Sequence, residues 1–302
     1  MTSELNYDKS EYRRYMGKAE YDKAIQTLKG LFDGIVIDGV ANSDEVKELY
    51  NWLAVNDQLL KYKPYDELLA FLKDCLEDEV LTSEEINDIA WALDNFSASG
   101  KYYDYTTLQI QKLEGICHGI IADNTINDTE IMALNEWLSE NDFVLKGTFP
   151  YEEIRALIIS ILDDGVITED ERNLLKVCLS EYVDCTVSYN IDFSELDDLK
   201  DRYNISGICS VNPVVTIPGH SFCLTGKSSR ATRNDFRNAI IEHGGVYKKD
   251  ITKDTQYLIV GDEGNPCWAF SCYGRKIELA EKMRKGGNAI LIIHENDFWK
   301  CV

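Results

Sequence analysis

The sequence predicts an all-α region of tandem helical repeats followed by an α/β domain on a four-stranded, mostly parallel sheet. Three observations predict it. Ile25-Gln-Thr-Leu-Lys-Gly30 recurs as Ile110-Gln-Lys-Leu-Glu-Gly115, and the same offset relates Gly34 to Gly119, Asp38 to Asp123, Glu45 to Glu130 and Trp52-Leu53 to Trp137-Leu138. Four Asp-led turns in that region are each followed by a Glu-closed helix start. From Phe222 onward, short apolar runs alternate with helix-period segments in the order β-α-β-β-α-β-α. Strands joined by helical crossovers imply parallel pairing, with helices on both faces.

The 302 residues allow two or three domains with ample cores. No apolar run reaches the ~18 residues of a membrane span. The start, Met1-Thr-Ser-Glu-Leu-Asn-Tyr7, has neither a basic nor an apolar leader region. A cytoplasmic location without membrane attachment is expected. The nine Cys include no C-x-x-C pair, which argues for reduced thiols and against a zinc site. Cys267 and Cys272 are read as packing residues. The net charge of −22 is unevenly spread. Val215 to Val302 holds 13 Lys and Arg against 10 Asp and Glu, and the remainder holds 18 against 43. The acidic part repels a phosphate backbone, so any phosphate-binding function belongs to the C-terminal domain.

Residues 7–23 read as an exposed helix. The repeats follow, at about 25–96 and 110–183, with 97–107 as the linker between them. Each repeat divides in two. The four half-repeats carry Asp38-Gly-Val-Ala-Asn42-x-x-Glu45, Asp78-Glu-Val-Leu-Thr82-x-x-Glu85, Asp123-Asn-Thr-Ile-Asn127-x-x-Glu130 and Asp164-Gly-Val-Ile-Thr168-x-x-Glu171. In each, the Asp turn ends one helix and a hydrophobic residue pins the turn. Asn or Thr then caps the next helix, and Glu completes the capping box. The repeats resemble tellurite-resistance TerB-like helical domains, and more distantly the helix-loop-helix of an EF-hand. A calcium loop needs oxygen ligands at its first, third and fifth positions and Glu at its twelfth. Here Asp to Glu spans eight residues and Val40, Val80 and Val166 cannot ligate, so capping is preferred and no metal is assigned. Ser194 to Tyr203 reads as an acidic helix. The stretch through Pro213 and Pro218 reads as extended connector. The domains are therefore placed at 1–96, 108–183 and 219–302, with 184–218 as linker.

In the last third, Leu224-Thr225-Gly226 closes the first strand and Gly244-Gly245 precedes the second. Thr255-Gln-Tyr-Leu-Ile-Val-Gly261 forms the third, and Trp299 lies in the last helix. In this order and spacing they resemble a BRCT domain, in particular those of bacterial NAD-dependent DNA ligases and of the replication factor C large subunit. The chain departs from the ligase type at Asp262 to Gly274, a longer, aromatic-rich insert. The resemblance implies a phosphate pocket at the start of the second helix. Thr225 would supply a hydroxyl, Gly226 a backbone N–H, Lys276 a charge and Arg233 a guanidinium. A hydroxyl, an amide and two cations at a helix end suit a phosphate dianion. Gly226 is expected because a side chain would block the amide. Lys227, Arg230, Arg237 and Arg275 extend the positive field along a nucleic-acid backbone.

None of the four His has a partnered nucleophile. The chain lacks the Lys-x-Asp-Gly of an adenylated ligase lysine, a phosphate loop of the P-loop type, G-x-S-x-G and H-E-x-x-H. No enzyme activity and no cofactor are expected. The expectation is a DNA-associated adaptor for repair or replication, with a 5′-phosphorylated DNA end or nick as ligand. A phosphorylated protein is the alternative ligand, and a partner protein is expected on the acidic repeats. The other alternative is a stress-response protein of the tellurite-resistance type, in which the BRCT-like domain serves assembly.

Overall fold

The computed structural model describes residues 9–57, 63, 65–97, 102–185, 188–203, 208–210, 213–228, 230–261 and 273–302. The expected packing residues Cys267 and Cys272, and most of the insert that begins at Asp262, lie outside these. The chain divides into two units, residues 1–192 and 193–302.

Four glycines organise the first unit. Helix α1 (Lys9–Ile35) packs along α5 (Tyr105–Ile120). Gly30 and Gly34 face Gly115 and Gly119 across the contact. A Cβ on Gly30 would lie 2.0 Å from the Lys112 carbonyl oxygen, and one on Gly115 would lie 2.2 Å from that of Thr27. The two backbones touch, closer than the ~8–10 Å axis separation set by ordinary side chains. Both helices are therefore buried deeply. Leu28, Leu31 and Phe32 on α1, and Leu113, Ile116 and Cys117 on α5, have no exposed surface.

Around this pair each repeat adds further helices. In the first they are α2 (Ser43–Val55), α3 (Tyr65–Cys75) and α4 (Ser83–Ser97). In the second they are α6 (Asp128–Glu140), the short α7 (Asp142–Leu145), α8 (Tyr151–Ile161) and α9 (Glu169–Ser180). No strand occurs among the described residues of this unit. Two boundaries differ from the sequence reading. The segment from Lys9 is not a separate exposed helix but the start of α1, and its Ala19 and Asp22 are buried. Tyr105–Thr107 belongs to α5 instead of the linker, because Asp104 caps the helix by accepting from Thr107 N at 2.9 Å.

All four capping boxes form. Asn42, Thr82, Asn127 and Thr168 accept from the N–H of Glu45, Glu85, Glu130 and Glu171, and each Glu accepts from the cap residue's own N–H. The leading Asp of each turn accepts from the N–H two residues on. The pinning hydrophobe is the residue before the cap. Leu81 and Ile126 are buried, whereas Val40, Val80 and Val166 are exposed.

The repeats are also tied to each other at these turns. Asn42 Nδ2 donates to Asp123 at 2.8 Å, and Asn127 Nδ2 donates to Asp38 at 3.3 Å. Glu45 and Glu130 are buried beside this exchange. Burial raises their carboxyl pKa to about 7 and about 8. The cap N–H opposes the rise, and the charges of Asp38 and Asp123 add to it. A second tie closes the unit. The buried Glu48 accepts from His118 Nε2 at 2.9 Å and from Tyr189 N at 2.8 Å. Burial works against the Glu48 charge, but these donors outweigh it and hold the carboxyl below its ordinary range. Asn190 Nδ2 then bridges the carbonyls of Asp44 and Ala122, one from each repeat.

The second unit opens with α10 (Phe193–Tyr203) and contains β1 (Ser221–Thr225), α11 (Arg233–Glu242), β2 (Val246–Lys248), β3 (Tyr257–Val260), α12 (Arg275–Lys285), β4 (Leu291–His294) and α13 (Glu295–Trp299). The element order is the expected one. The last strand is displaced toward His294, and the last helix ends at Trp299 instead of Val302. The sheet is fully parallel in the order β2-β1-β3-β4. Phe222, Leu224 and Ile259 point into a core with Phe236 and Ile240 of α11 and Phe298 of α13. Cys223, between Phe222 and Leu224, points to the opposite face, where it meets Lys276 of α12. Strands buried on both faces read as continuous apolar runs, as this stretch does.

Two outcomes test the first unit. Gly30→Ala or Gly115→Ala should destabilise it by about 3 kcal/mol or more, since a methyl would overlap backbone that has nowhere to move; a thermal melt within a degree of wild type would contradict the crossing. The raised Glu45 and Glu130 carboxyls contribute stability that is complete below their ordinary value of 4.5 and is lost as pH rises through about 7 to 8. Glu45→Gln with Glu130→Gln keeps a cap acceptor. The double variant should therefore melt higher than wild type at pH 8.5, with the gap closing by pH 5.

Candidate anion site at the carboxyl ends of β1 and β3

β1 leads through α11 to β2 on one side, and β3 leads through α12 to β4 on the other. The carboxyl ends of β1 and β3 therefore flank the point where the strand order reverses, the usual ligand crevice of an open parallel sheet. The four residues expected to hold phosphate all lie there. Thr225 closes β1 and is nearly buried, at 4% exposure. Gly226 follows with φ +78°, a left-handed conformation that costs any other residue about 1–3 kcal/mol. Backbone conformation is thus a reason for glycine here.

Arg233 begins α11 and Lys276 lies in the first turn of α12. The two helices start 42 residues apart in the sequence, yet their cations meet on one atom. The Leu224 carbonyl oxygen accepts from Arg233 Nη1 at 3.4 Å and from Lys276 Nζ at 3.2 Å. Arg233 Nη2 also reaches the Gly226 carbonyl at 3.1 Å. Lys276 Nζ also reaches the Lys249 carbonyl at 2.7 Å and the Cys223 sulfur at 3.3 Å. Among the described residues, the carboxylate oxygen nearest that ammonium, on the largely exposed Asp250, stands at 4.0 Å. Burial pushes the Cys223 thiol up, against the opposite pull of Lys276 and Arg233, so the floor of the site is uncharged at neutral pH.

Neutral carbonyls are the close acceptors of both cations, and the one carboxylate near Lys276 among the described residues, Asp250, is at the outer limit of an ion pair. Both cations also stand at helix N-termini, where the helix dipole disfavours a cation and favours an anion. The N-cap of α12 is Gly274, and no side chain caps that helix. The Ile277 N–H donates to the Gly274 carbonyl at 2.8 Å, and the dipole at this helix start favours an anion. Of the outlying cations, Arg237 sits one turn beyond Arg233 and Arg275 begins α12, both exposed. Lys227 follows Gly226, and its carbonyl packs against Gly261, where a Cβ would lie only 2.2 Å away.

Sequence reasoning missed the loop's internal brace. Ser228 Oγ accepts from the N–H of Arg230 and Ala231, both at 3.0 Å, and donates to the fully buried Glu295. Thr232 then caps α11 in a capping box with Asp235. The brace joins residues far apart in the chain. Only the T-x-x-D cap was available as a local signal.

The family model for the BRCA1 C-terminal (BRCT) domain matches residues 217–302. A DNA ligase of Christiangramia forsetii is 29% identical over 101 residues, a stretch that is 33% of this chain and 13% of the ligase. The chain thus spans about an eighth of the length of that curated relative. No solved structure matches the chain. The match begins just before β1 and runs past the helix that carries Trp299, so residues 217–302 of this chain are a BRCT domain.

Proposed function

We propose that the protein is a non-catalytic, DNA-associated adaptor whose BRCT domain binds the 5′-phosphate of a DNA end or nick in repair or replication. The observation that carries this reading is the pair of cations, Arg233 and Lys276, held on the Leu224 carbonyl at the crevice of a parallel sheet. A terminal phosphate offers more charge and more free oxygens than a backbone diester. It can bridge both cations, the Thr225 hydroxyl and the Gly226 N–H. The ligase relative supports a DNA-end ligand, since its name places it among enzymes that act on DNA. BRCT domains are non-catalytic modules, which supports a role in binding over one in a reaction. The acidic repeats, with their resemblance to TerB-like domains, serve as the surface for a partner protein.

The test is a titration of the full chain with duplex DNA carrying a recessed 5′ end, phosphorylated or dephosphorylated. The phosphorylated end should bind tighter. Lys276→Ala or Arg233→Ala should each remove about tenfold or more of that affinity, as expected for one lost charge-assisted hydrogen bond. Thr225→Ala should reduce the same preference. Lys227→Ala should weaken both duplexes alike and lower the salt dependence. Equal binding of the two ends would eliminate the DNA-end reading. Binding of a phosphoserine peptide, lost on Thr225→Ala, would then assign the site to phosphorylated protein.

A further inference from the structure

We infer that Arg230, backed by Trp299, caps the open face of the terminal base pair at a 5′-phosphorylated DNA end. This rests on the phosphate reading above and adds a second, independent contact to it. Arg230 lies in the loop that runs from Gly226 to Arg233, between the two ends of the anion site. Its guanidinium carbon stands 5.7 Å from the Trp299 ring centroid, over the ring. Trp299 packs in turn on Phe236 at 4.7 Å and on Phe298 at 5.1 Å. The order from inside to outside is thus core aromatics, indole, guanidinium, solvent.

The backbone under Arg230 is tied down as well. Its N–H is held by Ser228 Oγ at 3.0 Å, and Ser228 is anchored on the buried Glu295. Lys248, Arg284 and Lys300 of this domain each pair with a carboxylate. Arg230 has no carboxylate partner among the described residues and is exposed. An exposed arginine in cation–π contact with an aromatic ring offers its guanidinium plane as a stacking platform for a base.

A duplex end supplies the matching surface. The last base pair has one open face, on the same side as its own 5′-phosphate. A site that grips that phosphate brings the face toward the loop carrying Arg230. At a nick the same base is covered by its neighbour and offers no face. Charge alone does not reproduce this behaviour, because a lysine keeps the charge but has no plane to stack.

The experiment uses the full chain and 5′-phosphorylated duplexes with 2-aminopurine at the 5′-terminal nucleotide, either at a recessed end or at a nick. Wild type should change the 2-aminopurine emission at the end. Arg230→Lys and Arg230→Ala should both abolish that change and weaken end binding about tenfold, the scale of one lost stacking contact. Nick binding should fall less than about twofold, and the preference for phosphorylated over dephosphorylated ends should persist. A lysine variant that binds ends as wild type does, or equal losses at ends and nicks, would overturn the inference while leaving the phosphate site standing. Loss of phosphate preference in wild type itself would remove both.

Discussion

The direct contact of two helix backbones at Gly30, Gly34, Gly115 and Gly119 is the constraint on which the helical unit depends. Side chains cannot intervene there, so α1 and α5 are locked in register to within a carbonyl. That lock places the two repeats in equivalent positions about the crossing. Equivalence explains why the cross-links come in reciprocal pairs. Asn42 reaches Asp123 and Asn127 reaches Asp38, each from the turn after one crossing helix to the turn after the other. It also explains the two buried carboxyls. Glu45 and Glu130 must close their own capping boxes, and the crossing carries both caps into the same low-dielectric region. Their raised pKa values are a consequence of symmetry as much as of burial.

In the BRCT domain the corresponding constraint is topological. Parallel strands whose connections leave in opposite directions open a crevice between β1 and β3, and two helix N-termini converge on it. The sequence places a cation at each. Left alone, Arg233 and Lys276 would repel each other and oppose the dipoles of their helices. The carbonyls of Leu224, Gly226 and Lys249 offset that cost with hydrogen bonds but leave the net charge in place. The uncharged Cys223 thiol beneath them has the same effect.

Legibility in the sequence followed range. Capping boxes act over three residues, and all four were readable from Asn42, Thr82, Asn127 and Thr168 with their Glu partners. The repeat was readable because Gly30 and Gly115 recur in matched contexts. That these glycines touch each other is a fact about a helix crossing, and no local pattern contains it. Which hydrophobe pins each turn was left open by the sequence. In two turns the residue before the cap, Leu81 or Ile126, is the buried one, since extended backbone alternates its faces. The start of α1 was misread because the polar face of a long helix dominates its composition until a partner covers the other side. At the candidate site, Thr225, Gly226, Arg233 and Lys276 were reachable through family resemblance alone. The shared Leu224 carbonyl joins segments too distant for spacing to reveal. The same distance hid the links of Glu48 to His118 and Tyr189, and of Ser228 to Glu295.

The charge distribution decides what kind of recognition this chain can perform. A net charge of −22 gives no long-range attraction toward a polyanion. A binding surface that worked by neutralising many backbone phosphates would be cancelled by the rest of the molecule, most strongly at low salt. Contacts made within a few ångströms escape that cancellation, because screening at physiological salt confines exposed charges to about 8 Å. On the proposed reading, a few fixed donors around a single phosphate, with a cation against a base, would be the form of recognition that survives on an acidic protein. On that reading the acidic repeats would oppose loose association along DNA while leaving the short-range contacts intact. Discrimination between a terminal phosphate and the diesters of the backbone would thereby be sharpened by the same charge that lowers overall affinity.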